Sequence, residues 1–142
     1  MESVKNRIKT HEGFRSKVYK DTLNKRTVGY GHLCVEDWWE DDKEYTQAEL
    51  ERIFDKDFDK AKEGASKLYE GCEINDTAKG VIIEMVFQLG TTGVSKFKNM
   101  WKALKETPPN YSVAKIEMLD SRWAKQTPNR AKELSNTIGE IV

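Results

Sequence analysis

The amino-acid sequence predicts an α+β fold that is mainly helical and carries one small β-hairpin lobe. Three observations predict it. A long segment after Thr46 repeats apolar residues at helical spacing, a second segment after Asn75 is apolar almost all round, and two β-branched and aromatic runs flank a polar loop near Asp21. The 142 residues have the length of one domain with its own hydrophobic core.

The first third of the chain predicts a short helix followed by the hairpin. Apolar residues one helical turn apart precede Gly13, and glycine is a typical residue at which a helix ends. The runs at residues 17–19 and 26–30 predict two strands, and the polar residues 21–25 predict the loop between them. The glycines near the end of the second run indicate an irregular strand end.

Two helices are predicted in the middle of the chain. Thr46 and Glu49 form a capping box, and the apolar stripe behind them predicts one long helix that would join a hairpin lobe to a helical lobe. Asn75 or Asp76 caps the next helix. Because that helix is apolar almost all round, we expect it to lie buried at the centre of the fold.

Shorter helices complete the prediction. Two are expected around residues 97–104 and 113–119, separated by a pair of prolines that breaks the helical pattern. A last helix is expected to begin with Thr127 as its cap and Pro128 at its first position. The sequence contains no internal repeat and no linker, so a single domain is expected.

Composition limits the classes of function. The 24 lysines and arginines are balanced by 24 aspartates and glutamates, so charge gives no argument for binding nucleic acid. Since no apolar run approaches membrane-spanning length and the polar N-terminus has no signal sequence, we expect no membrane insertion. Cys34 and Cys72 lie outside any metal-binding motif, which predicts a reduced, intracellular chain without a metal site.

Two carboxyl groups and a hydroxyl group stand on separate predicted elements. Glu12 ends the first helix, Asp21 lies beside the hairpin loop and Thr27 lies on the returning strand. Glycosidic-bond hydrolysis needs one protonated carboxyl for the leaving oxygen and one ionised carboxylate that helps water or attacks the sugar. In isolation Glu12 would be a surface glutamate and Asp21 a turn former, so the flanking motifs decide the interpretation.

The motifs resemble those of the lysozymes (endolysins) of T-even bacteriophages, in the same order along the chain. They are His11-Glu12-Gly13-Phe14-Arg15, Val18-Tyr19-Lys20-Asp21-Thr22, Thr27-Val28-Gly29-Tyr30-Gly31-His32-Leu33, Glu84-Met85-Val86-Phe87-Gln88-Leu89-Gly90-Thr91-Thr92-Gly93-Val94 and Ser121-Arg122-Trp123 to Thr127-Pro128-Asn129-Arg130-Ala131. The resemblance implies a lysozyme-like two-lobed fold. It is a single domain over residues 1–142, with a hairpin lobe at roughly 13–45 and a helical lobe at roughly 60–142 plus the N-terminal helix.

The resemblance also implies catalytic roles. Glu12 would be the general acid, with a pKa raised by partial burial so that it stays protonated. Asp21 would hold a water molecule that Thr27 shares, and attack on the face opposite Glu12 would invert the sugar. Arg130 would pair with Glu12 and orient it.

Substrate-binding and supporting positions follow from the same resemblance. It implies that Leu33, Phe87 and Gln88 line the substrate cleft, although Phe87 is explained nearly as well by core packing. It places Asp57 opposite His32, and a pair between them would tie the hairpin lobe to the long helix. Such a pair would raise the pKa of the histidine and lower that of the aspartate.

Three features depart from the family pattern. Met100 stands where the family has a hydroxyl residue, and Glu117 stands where it has an amide. The acidic segment of residues 36–42 replaces a longer lobe, and its Trp38 and Trp39 would serve either packing or sugar contact. We expect one tryptophan to be packed and the other exposed, because neighbours on a strand face opposite ways.

The sequence thus predicts a bacteriolytic lysozyme that hydrolyses the β-1,4 bond between N-acetylmuramic acid and N-acetylglucosamine in peptidoglycan. The alternatives are a lytic transglycosylase or an enzyme for another amino-sugar polymer on the same fold, and a wall-binding module without catalysis. No cofactor or metal is expected. The expected partners are peptidoglycan glycan strands. We expect a monomer in the host cytoplasm that reaches the wall by a separate release route.

Overall fold

A computed structural model describes all 142 residues and confirms the predicted mainly helical α+β fold. The chain divides into two compact units, Met1–Lys60 and Ala61–Val142, and the boundary falls within the long helix. The predicted lobe limits stay a prediction. In chain order the elements are α1 (Glu2–Glu12), β1 (Arg15–Lys20), β2 (Arg26–Gly29), β3 (His32–Leu33), α2 (Gln47–Leu68), α3 (Asp76–Ser95), α4 (Lys98–Leu104), α5 (Tyr111–Leu119), α6 (Arg122–Gln126) and α7 (Pro128–Gly139).

The sheet of the first unit has three antiparallel strands in the order β1-β2-β3. Tyr19 lies directly opposite Thr27, and Thr27 lies directly opposite Leu33. Directly opposed residues project their side chains from the same face of a sheet, so these three form one cross-strand row. The irregular end of the second run is a turn into β3, and both Gly29 and Gly31 adopt the left-handed φ that glycine permits.

Helix α1 is held against the start of α2 by charged and aromatic groups. The Lys9 ammonium donates to Glu51 Oε2 at 2.9 Å and lies 4.9 Å from the centre of the Phe54 ring. Tyr30 donates to the other oxygen of Glu51 at 3.1 Å. The expected helix end at Gly13 is present, and its N–H donates to the Lys9 carbonyl at 2.9 Å. These contacts fix the end of α1, where Glu12 lies.

A small core fills the hairpin side of the first unit. It contains Val28, Trp39, Tyr45 and Leu50, and the rings of Trp39 and Tyr45 meet edge to face at 4.8 Å. Trp39 is 6 % exposed whereas Trp38 is 59 % exposed, as expected for one packed and one exposed tryptophan. The reason given from the sequence was wrong, because both residues lie beyond β3 and outside any strand.

The second unit is organised around α3, which is buried along its first three turns as predicted. Asn75, and not Asp76, is the cap, and its side chain accepts from the Ala78 N–H at 2.9 Å. Pro128 begins α7 as predicted. Thr127 occupies the N-cap position as predicted, but it makes no side-chain cap bond, because its hydroxyl donates instead to the Trp123 carbonyl at 3.1 Å. Among the helices, none is both long and apolar enough to cross a membrane.

Candidate active site

Glu12 lies against the turn that joins β2 to β3. A β-carbon added at Gly31 would lie only 2.5 Å from Glu12 Oε1 and 2.9 Å from the carboxyl carbon. The half-buried glutamate is the last residue of α1, so the helix end and the turn enclose its carboxyl group together. Only glycine leaves room for this arrangement, and its φ of 74° independently favours glycine.

Asp21 shapes the hairpin loop with one carboxylate oxygen. Its Oδ1 accepts hydrogen bonds from the backbone N–H groups of Leu23 at 2.9 Å and Lys25 at 2.8 Å. The second oxygen, Oδ2, accepts no hydrogen bond from the chain. Asp21 therefore has the turn-forming role that an aspartate in a loop usually has, and it also keeps one oxygen available to a water molecule or a substrate.

Thr27 is joined to Asp21 through the peptide groups of Lys25. The Thr27 hydroxyl donates to the Lys25 carbonyl at 3.0 Å, and the Asp21 N–H donates to the same oxygen at 2.9 Å. Because the hydroxyl hydrogen is used in this bond, Thr27 can only accept a hydrogen bond from a shared water. Thr27 is 3 % exposed, so little of it is accessible to bulk water. The shared water stays a prediction.

Tyr19 is a site residue that the sequence interpretation missed. Burial raises the pKa of its phenol, and the negative charges of Glu12 and Asp21 raise it further. The positive charge of Arg15 acts in the opposite direction and lowers the pKa, but the net shift is upward. The phenol therefore lies within electrostatic reach of both carboxyl groups, and its residue opposes Thr27 across the strands. The sequence could have indicated Tyr19, because a hairpin with its loop at residues 21–25 places position 19 directly opposite position 27 on the neighbouring strand.

Arg130 has a buried partner on α3. Its Nε donates to Glu84 Oε2 at 2.9 Å, and the Glu84 side chain is completely buried. Arg130 lies in the first turn of α7 and is 9 % exposed. The sequence interpretation missed Glu84, although a single acid within an apolar helix indicates a buried partner of opposite charge. The predicted pairing of Arg130 with Glu12 stays a prediction.

Gln88 is held one turn further along α3. Its Oε1 accepts from the Trp123 indole N–H at 2.8 Å, and its Nε2 donates to Thr127 Oγ1 at 3.3 Å. Phe87 beside it is half-buried, and Leu33, on β3 in the first unit, is exposed. That these three residues line one cleft stays a prediction.

A cavity of about 520 Å³ lies within the second unit. Trp123 contributes to its wall, as do Met100 and Glu117, the two positions that depart from the family pattern. Met100 is almost completely buried, and it adds an apolar residue to the lining. Two of the three departures therefore lie in one place.

Sequence comparisons with known proteins give the family. A family model described as phage lysozyme matches residues 9–137, which is nearly the whole chain. The chain belongs to the phage lysozyme family. It is 30 % identical to Probable T4-type lysozyme 1 of Dictyostelium discoideum, over 96 % of this chain and 93 % of that protein. It is 29 % identical to Probable T4-type lysozyme 2 of the same organism, over 93 % and 91 % of the two chains.

A larger relative contains the same region as one part of a longer chain. The pre-baseplate central spike protein Gp5 of Enterobacteria phage T4 is 28 % identical over 96 % of this chain, which corresponds to 27 % of that protein. The phage lysozyme family therefore occurs both as separate chains and within longer proteins. Peptidoglycan is the substrate class that membership of this family implies.

In this member of the phage lysozyme family, His32 is held from both ring nitrogens. Nδ1 lies 2.7 Å from Asp57 Oδ2 on α2, and Nε2 lies 2.9 Å from Glu36 Oε1. Trp39 donates its indole N–H to the same oxygen of Glu36 at 2.7 Å. The structure thus brings His32 and Asp57 together as the sequence predicted, and it adds Glu36, which the sequence interpretation missed.

The pKa of His32 reflects these contacts. Burial disfavours the charged imidazolium, but the hydrogen bonds to Asp57 and Glu36 outweigh it and raise the pKa. Burial likewise opposes ionisation of Glu36, but the hydrogen bonds from His32 and Trp39 outweigh it and lower that pKa. His32 therefore has a supporting role, since its protonated form ties the acidic segment to β3 and α2.

Proposed function

We propose that this protein hydrolyses the β-1,4 bond between N-acetylmuramic acid and N-acetylglucosamine in bacterial peptidoglycan. The observation that carries the proposal is the arrangement of Glu12, Asp21 and Thr27 within the first unit. Glu12 is enclosed at Gly31, and Asp21 and Thr27 are tied to one peptide segment at Lys25. Membership of a lysozyme family supports the same reaction class.

In the proposed reaction Glu12 is protonated and gives its proton to the glycosidic oxygen as the bond to the anomeric carbon breaks. A water molecule held by Asp21 Oδ2 attacks that carbon from the opposite face. Asp21 takes the proton from the water, and Thr27 accepts a hydrogen bond from it. The products are a reducing sugar of inverted configuration and a free hydroxyl on the leaving sugar. No cofactor takes part in these proposed reaction steps.

The alternative of a lytic transglycosylase is less well supported. That reaction closes the sugar on its own hydroxyl and needs no water-positioning base. Asp21 Oδ2 is not used by the chain, although Oδ1 alone is enough to shape the loop. Asp21 thus has one carboxylate oxygen left to position a water molecule, and this favours hydrolysis over the transglycosylase reaction. The monomeric state, the cytoplasmic origin and a separate release route stay predictions.

Product analysis tests the proposal. Purified peptidoglycan is digested in water enriched in ¹⁸O, and the new ends are identified by mass spectrometry. Hydrolysis places one labelled oxygen on a reducing N-acetylmuramic acid end. A transglycosylase would instead give unlabelled anhydro ends, and a wall-binding module would give none. Asp21→Asn should abolish the labelled ends, while Asp59→Asn, an exposed change on α2, should leave them unchanged.

A further inference from the structure

The phenol group of Tyr19 has no assigned role in the reaction above. Its hydroxyl group has no hydrogen-bond partner within the chain, whereas those of Tyr30, Tyr45 and Tyr111 each have one. The side chain is half-buried and therefore ordered against the sheet. The hydroxyl group is therefore available to a bound molecule, and the position of the residue decides whether such a molecule reaches it.

Tyr19 lies near all three proposed catalytic groups. It opposes Thr27 directly across the strands and so projects from the same face of the sheet. It also lies close enough to Glu12 and Asp21 for their charges to act on its phenol. The Arg15 guanidinium lies 4.7 Å from the centre of the ring, which covers one ring face and leaves the hydroxyl end for contact.

We propose that the Tyr19 hydroxyl touches the sugar bound at Glu12 and Asp21 and donates a hydrogen bond to one of its oxygens. The inference rests on the proposed function. A phenol is suited to this place because it stays neutral at physiological pH, and burial and the two acids strengthen that tendency by raising its pKa. A lysine or arginine here would also bind the sugar, but its charge would favour ionisation of the acid that must stay protonated.

Tyr19→Phe removes the hydroxyl and keeps the ring and its contact with Arg15. Tyr69→Phe is the matched control. Tyr69 is also half-buried, and its hydroxyl also has no partner in the chain. The ammonium of Lys79 lies 5.4 Å from the centre of its ring, as Arg15 lies over Tyr19. For Tyr19→Phe we expect kcat/KM on soluble peptidoglycan fragments to fall about 3- to 10-fold, as for loss of one neutral hydrogen bond. Tyr69→Phe should show no change.

Binding is measured separately, in a Glu12→Gln background that cannot turn the fragments over. The added Tyr19→Phe change should weaken fragment binding by a similar factor while the melting temperature and the pH profile of the active enzyme stay the same. Unchanged kinetics and binding would overturn the inference, as would an equal loss in Tyr69→Phe or a loss explained by a lowered melting temperature. Failure of the wild-type protein to hydrolyse peptidoglycan would overturn the proposed function, and the binding assay would still decide the role of Tyr19.

Discussion

Glu12 and Gly31 are in such close contact that any side chain at position 31 would overlap the carboxyl group. The relevant separation is 2.5 Å between an added β-carbon and Glu12 Oε1. Gly31 stands in the turn between two strands of the sheet, and Glu12 stands at the end of a helix. The absence of a side chain on another element therefore leaves the room that the carboxyl group of the proposed general acid occupies.

Gly31→Ala should reduce activity far more than stability. Its β-carbon would displace the Glu12 carboxyl group, and we expect a rate loss of at least about 10-fold, since small misplacements of catalytic groups are costly. Gly71→Ala is the control, because Gly71 has a φ of 81° and open space around an added β-carbon. Both changes should cost about 1 kcal/mol of stability through the left-handed conformation. Equal activity in the two variants, measured by clearing of peptidoglycan, would contradict this account of Glu12.

Glu84→Ala should be strongly destabilising. It removes a carboxylate that is fully buried and bonded to Arg130, and breaking a buried ion pair costs about 3–5 kcal/mol. The control is Glu63→Ala, whose exposed carboxylate lies 3.7 Å from Lys67 and which should cost less than about 1 kcal/mol. Urea denaturation of the three proteins measures both values. Similar small losses in the two variants would show that the buried pair contributes little.

The contribution of Glu36 to stability should depend on pH. The His32 pKa is raised from its ordinary 6.5, so its contribution is complete below that value and is lost as pH rises through the folded pKa. The Glu36 pKa is lowered from 4.5, so its contribution is complete above that value and is lost as pH falls through the folded pKa. The stability difference between wild type and Glu36→Gln should therefore be largest at about pH 5–6.

The measurement is the free energy of unfolding of both proteins at pH 5.5, about one unit below the ordinary pKa of a histidine, and at pH 8.5, about two units above it. Glutamine keeps an oxygen that can accept from the Trp39 indole, so the variant isolates the charge. A difference that is the same at both pH values would refute the ionic contribution of His32 to this contact.

The two neighbouring tryptophans should behave differently when replaced. Trp39→Ala removes a ring from the small core and should cost about 3–5 kcal/mol. Trp38→Ala removes an exposed ring and should change stability by less than about 0.5 kcal/mol. If Trp38 contacts sugar, its loss should weaken binding to peptidoglycan in a sedimentation assay. Equal losses of stability in both variants would contradict the assignment of Trp38 to the surface.

Local patterns were enough to predict most of the secondary structure. The Thr46 side chain accepts from the Glu49 N–H at 3.1 Å, as the capping box indicated, and the apolar helix after Asn75 is buried. Such features depend on residues a few positions apart. Helix α6 was not predicted, because its five residues are too few to show a periodicity, and Ser121 as its cap was the only signal.

The site could be predicted only in part, because its contacts join distant residues. The motifs around Glu12, Asp21 and Thr27 indicated the chemistry through their resemblance to a known family, but the overlap at Gly31 depends on a turn that brings the strands back to α1. The partner of Arg130 lies 46 residues away along the chain, so the local pattern of α3 could mark Glu84 as a buried acid but not its pairing with Arg130. Glu36 was missed for a different reason, since it belongs to a segment without regular structure.

The most direct test of the central claim is the turnover of purified peptidoglycan by Glu12→Gln. Glutamine keeps the shape of the side chain beside Gly31 but has no proton to give to the leaving oxygen. We expect kcat to fall by at least about 100-fold with an unchanged melting temperature, as for loss of a general acid. Glu2→Gln, an exposed change in the first turn of the same helix, should keep full activity. Near-wild-type turnover by Glu12→Gln would contradict the assignment of Glu12 as the general acid.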